Sequence, residues 1–114
     1  MAIHEVSTAE YDSFLRERDY AVILYDAPWD VGPGALIRPL FEEAAAALGG
    51  RVNFGAVDVD VFGPEAGLPV ANVPTVGYFK GGRLVAALIG PQDVAARTRA
   101  MLEGKHLGYR DGHD

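Results

Sequence analysis

Residues 21–41 read AVILYDAPWDVGPGALIRPLF, and this stretch decides the fold. An apolar run, Ala21 to Tyr25, gives way to a turn rich in Asp, Pro and Gly, after which Leu36, Ile37, Leu40 and Phe41 recur at helical spacing. That succession predicts strand, exposed turn and helix, with the turn as the working end. The strand, Tyr20 to Asp26, has a continuous rather than alternating apolar run, which predicts a central strand covered on both faces. The helix is predicted from Pro33 or Gly34 to Leu48, where Gly49-Gly50 stops it. Pro39 lies inside it and removes one helical hydrogen bond, which predicts a kink.

Working outward, Arg51 to Val59 alternates well enough to be a strand and completes a β-α-β unit of parallel strands. Upstream, Ser7 and Glu10 have the spacing of a capping box that opens a helix over residues 8–18, and Ile3 to Val6 forms a short first strand. Downstream, residues 61–72 are loop-like with room for one helical turn. Val76 to Lys80 and Arg83 to Ile89 flank Gly81-Gly82 as a hairpin, and Pro91 to Glu103 is a helix opened by proline. Residues 1–104 are read as one domain and residues 105–114, KHLGYRDGHD, as a disordered polar tail.

Composition limits the chemistry. The 114 residues carry a net charge of −6, against a general nucleic-acid binder or an acidic membrane surface as target. No apolar run approaches the roughly 18 residues of a membrane helix, and the N-terminus is acidic where a signal peptide is basic, so the cytoplasm is the simplest address. None of these 114 residues is a cysteine, so the chain has no thiol with which to exchange disulfides or bind zinc. Asp58 and Asp60 are read as solvated loop residues and not a metal site, and His106, Asp111, His113 and Asp114 as tail residues. No cofactor is expected.

Three motifs carry a family resemblance. Trp29, Gly32-Pro33 and Pro39 resemble the active-site segment of thioredoxins, Trp-Cys-Gly-Pro-Cys followed by a proline-bearing helix, with both cysteines missing and one residue inserted. Val73-Pro74-Thr75 resembles the family's cis-proline segment, and Phe79-Lys80-Gly81-Gly82 its Phe-Lys-x-Gly. The resemblance covers residues 7–103 and implies a thioredoxin-like three-layer α/β sandwich, a central mixed sheet with helices on both faces and a cis-proline before the hairpin. It places Leu24 where thioredoxins bury a proton-carrying acid. It also implies that the backbone of Val73 points outward and can pair with an extended peptide.

The functional expectation is a thioredoxin-like protein outside redox chemistry and without enzymatic activity, a peptide-binding or accessory chaperone module. Trp29, Asp30, Gly32, Pro33, Val73 and Pro74 would hold a protein or extended peptide segment, with a basic one favoured by the acidic charge. Some thioredoxin-like proteins without the cysteine pair serve hydrogenase maturation in this way. Trp29 has the alternative reading of a core residue capping the sheet, and Asp30 that of a charge at a helix N-terminus. Two other readings stand beside the module: a glutathione- or small-thiol-binding protein, disfavoured by Thr75-Val76-Gly77 after the proline, and a self-associating scaffold subunit.

Overall fold

The computed structural model describes residues 3–27, 33–63 and 66–107. Five strands form one sheet in the order β1-β3-β2-β4-β5: β1 (His4–Glu5), β2 (Tyr20–Asp26), β3 (Asn53–Asp58), β4 (Thr75–Lys80) and β5 (Arg83–Ile89). Strands β1, β3 and β2 are parallel, whereas β4 runs antiparallel to β2 and β5 antiparallel to β4. The helices are α1 (Tyr11–Arg16), α2 (Pro33–Leu48), α3 (Val59–Phe62) and α4 (Val94–Leu102).

Strand β2 lies in the middle, as its continuous apolar run predicts, and its residues 21–25 are fully inaccessible. Because successive side chains point to opposite faces, the strand serves two cores at once. Val22 and Leu24 pack with Ile37 and Phe41 of α2 and Val94 and Met101 of α4. Ala21, Ile23 and Tyr25 face the other way, onto Phe14 and Leu15 of α1 and onto Val57 and Phe79. Helices thus cover both faces of the sheet.

Several predicted boundaries shift for identifiable reasons. Helix α1 is shorter than residues 8–18; Glu10 Oε2 accepts from the Ser7 N–H at 2.8 Å, the glutamate half of the capping box, while Glu10 itself is the N-cap. Pro39 sits inside an uninterrupted α2. Helix α4 starts at Val94, not Pro91, because Asp93 caps it by accepting from the Ala96 N–H at 3.0 Å. Gly81 and Gly82 turn the hairpin with φ of +60° and +81°. Leu107, read from sequence as part of the polar tail, is 3 % exposed and packs into the α2–α4 core. His113, Asp111 and Asp114 lie outside the described residues.

Candidate functional site

The register Tyr25↔Thr75 brings the start of β4 beside the end of β2, where the chain leaves for α2. The segment before β4, Asn72-Val73-Pro74, therefore stands at the same end of the sheet as the N-terminus of α2. No acidic residue occupies the first turn of that helix, so the positive end of its dipole is not neutralised from within.

The Val73–Pro74 peptide bond is cis, and Pro74 is buried. Two bonds hold the segment. Thr75 Oγ1 donates to the Asn72 carbonyl at 2.5 Å, the Gly90 N–H donates to the Pro74 carbonyl at 2.9 Å, and Thr75 is itself only 1 % exposed. Val73, between these anchors, is half-buried, and its own N–H and C=O make no hydrogen bond among the described residues. An ordered strand end with an unpaired donor and acceptor is equipped to add an extended segment. Beside it a cleft of about 480 Å³ is lined by Val59, Gly63, Leu68, Val70, Asn72 and Val73. On the other flank, Ile89 exposes 59 % of its surface.

At the end of β2, Asp26 is 14 % exposed. Its Oδ1 accepts from the Ala27 N–H at 2.8 Å, and its Oδ2 lies 3.9 Å from Arg38 Nε of α2. Arg38 also approaches Glu5 at 3.6 Å. Leu24, two residues earlier and on the same face, has no exposed surface and packs as a hydrocarbon core residue. The place where the resemblance puts an acid is thus filled by hydrocarbon in this chain. On the opposite face, Tyr25 and Tyr11 share a 2.6 Å hydrogen bond between their hydroxyls, and burial pushes both phenols above their ordinary range.

Of the sequence-predicted site residues, the structure brings Val73 and Pro74 together on one anchored segment. Pro33 opens α2, and Trp29, Asp30 and Gly32 lie outside the described residues. Asp58 has a task the sequence reading missed: its Oδ1 caps α3 by accepting from the Asp60 N–H at 2.9 Å and the Val61 N–H at 3.4 Å. No group of three or more metal-ligating side chains occurs among the described residues. Nor is any helix among them long and apolar enough to cross a membrane. Sequence reading also passed over Gln92, which anchors Tyr78 and the end of β5.

A mixed five-stranded sheet with helices on both faces and a cis-proline segment at the end where β2 hands over to α2 define a thioredoxin-like α/β protein. The thioredoxin family model matches residues 2–102, and the chain belongs to that family. A thioredoxin of Staphylococcus aureus is 34 % identical over 108 residues, 94 % of this chain and 100 % of the relative. Among solved structures, mitochondrial thioredoxin 3 of Saccharomyces cerevisiae in its oxidised form has a TM-score of 0.70 at 26 % identity, over 90 % of this chain and 92 % of that one. The oxidised thioredoxin of Plasmodium falciparum has a TM-score of 0.69 at 28 % identity, over 90 % and 97 %.

These relatives correct the functional expectation drawn from sequence. A near full-length match to proteins named thioredoxin points to thiol–disulfide oxidoreductase chemistry, and overturns the expectation of a non-redox binding or chaperone module without enzymatic activity. The glutathione-binding and scaffold readings gain no support from the same comparisons. The sequence reading placed the chain in this family and drew the non-redox expectation from the missing cysteine pair alone.

Proposed function

We propose that this thioredoxin-family chain takes part in thiol–disulfide exchange by holding an extended polypeptide segment that bears the disulfide, while both reacting sulfurs belong to other molecules. With no cysteine among the 114 residues, the attacking thiolate comes from a second thiol compound. It forms a bond to one sulfur of the substrate disulfide, the S–S bond breaks, and the other sulfur leaves as a thiolate that takes a proton from water. The leaving sulfur is reduced, the attacking sulfur is oxidised and joined to the other substrate sulfur in a mixed disulfide, and a second molecule of the thiol compound releases that sulfur by the same exchange.

The observation that carries this reading is the Val73 backbone, with N–H and C=O unpaired between two anchored neighbours. A segment pairing there lies at the same end of the sheet as the N-terminus of α2, where a developing thiolate is stabilised by about 0.3–1 kcal/mol. Trp29, Asp30, Gly32 and Pro33 are proposed to flank the same segment, together with Val73 and Pro74. The net charge of −6 favours a basic segment by steering its approach. A cytoplasmic address suits this role, since free thiols are maintained there.

The test is nuclear magnetic resonance of the isotopically labelled chain, titrated with a basic decapeptide whose central cysteine is joined by a disulfide to free cysteine. Shifts centred on the Val73 and Thr75 amides are expected. Shifts confined to another face, or none at millimolar peptide, would sink the proposal.

A further inference from the structure

We infer that Gln92 is the positioning residue that fixes the shape of the Val73–Pro74 edge, an inference that rests on reading that edge as the substrate-binding one. Gln92 lies between β5 and the Asp93 cap of α4, and only 7 % of it is exposed. All three hydrogen-bonding directions used by its amide end in protein. Its Oε1 accepts from the Tyr78 hydroxyl at 2.7 Å, and its Nε2 donates to the Leu88 and Gly90 carbonyls, each at 2.9 Å.

Those two carbonyls bracket Ile89, the exposed apolar residue beside the site. The second belongs to Gly90, whose N–H donates to the Pro74 carbonyl. An unbroken series of direct bonds therefore runs from Tyr78 in the interior, through Gln92 and Gly90, to Pro74. Gly90 has φ +83°, a conformation that side-chain-bearing residues rarely adopt, so the strand end is bent as well as bonded.

The residue type fits this task. Two carbonyls and a hydroxyl converge on one buried point, and they call for a neutral group with two donors and an acceptor, which a side-chain amide supplies. Leucine has the bulk but strips the Tyr78 hydroxyl and the Gly90 and Leu88 carbonyls of their side-chain partner. Glutamate keeps the acceptor for Tyr78, yet when ionised it has no proton to offer the Leu88 and Gly90 carbonyls. A core that needed only filling at Tyr78 would be served by two apolar residues of the same shape, whereas a satisfied polar network selects one arrangement of its neighbours.

Three variants separate positioning from general stability. Gln92→Leu and Gln92→Glu both remove the hold on Gly90, and Tyr78→Phe keeps it while deleting the inner end of the series. Amide hydrogen exchange is read at Gly90 and, as reference, at the β2 residues Val22 and Ile23; affinity is read with the disulfide-bearing basic decapeptide.

In both Gln92 variants, exchange at Gly90 is expected to quicken at least about tenfold more than at Val22 and Ile23, with peptide affinity about tenfold weaker. Tyr78→Phe is expected to leave both within about twofold of the unmodified chain once global stability is matched. The inference is overturned if exchange at Gly90 changes only in step with β2, or if Tyr78→Phe weakens binding as much as the Gln92 variants do. If one Gln92 variant does not fold, the other gives the same reading. A wild-type chain that fails to bind the peptide refutes the edge as a substrate site, and exchange at Gly90 then still decides the role of Gln92.

Discussion

Replacing Leu24 by Asp restores the type of residue that thioredoxins bury at this place, and here it is expected to be severely destabilising. Leu24 has no exposed surface and is packed among Val22, Ile37, Phe41 and Val76. Deleting most of a buried leucine costs about 2–5 kcal/mol through lost transfer energy and the cavity left behind. A neutral carboxyl without a partner in that space adds about 1–3 kcal/mol. Ionisation adds more, because desolvation raises the carboxyl pKa by about 3 units or more in a fully buried apolar site, each unit being worth 1.36 kcal/mol.

Together these approach the whole stability of a domain this size, about 5–15 kcal/mol. The sign of the pH dependence follows from the raised folded-state pKa: the penalty is smallest below the unfolded value near 3.9 and grows as pH rises toward the folded value. Urea unfolding of Leu24→Asp at pH 5 and pH 7 is therefore expected to differ by about 2–3 kcal/mol, with pH 5 the more stable, after subtraction of the same difference for the unmodified chain. A total loss below about 1 kcal/mol at pH 7 with no such pH dependence would refute the reasoning, since it would mean that solvent reaches Leu24.

Two further outcomes follow from the packing. Gly55→Ala would bring a Cβ to 2.5 Å from Val6 Cγ2 and 2.8 Å from the Phe14 ring, so it is expected to cost about 1–3 kcal/mol by denaturant unfolding; an unchanged midpoint would contradict the close approach of β1 and α1 to β3. Burial holds Tyr11, Tyr25 and Tyr78 protonated above the ordinary phenol range, so their contribution to stability is complete below about pH 10 and is lost as pH rises toward their folded values. Their phenolate absorbance is expected to appear together with loss of the far-ultraviolet dichroism, and full tyrosine ionisation with the fold intact would contradict it.

The fold was legible wherever pattern and burial coincide. Strand β2 reads as covered on both faces because no polar residue interrupts Ala21 to Tyr25, and α2 because its apolar stripe is followed by two glycines. Legibility failed where a polar or isolated residue is given a partner by tertiary structure. Asp58 reads as a solvated acid until a four-residue helix places two N–H groups over it. Leu107 is one apolar residue in a polar tail, and only the α2–α4 core shows why it is buried. Gln92 reads as part of the first turn of a helix opened by Pro91, since its three partners come from β4 and the end of β5 and none is adjacent in sequence. Of the candidate site, the Val-Pro-Thr segment could be placed from sequence, whereas the kinship with named thioredoxins was outweighed there by the absent cysteines.

The central claim is that the chain promotes exchange between sulfurs it does not own by presenting a segment at Val73. Its most direct test is the rate at which dithiothreitol reduces the disulfide of the basic decapeptide, measured with and without the chain, and with a Val73→Pro variant shown to be folded, which lacks the backbone donor. The account predicts an acceleration that saturates as the chain is added and disappears in Val73→Pro. An unchanged rate in the presence of the wild-type chain, or an acceleration that survives in Val73→Pro, would contradict it.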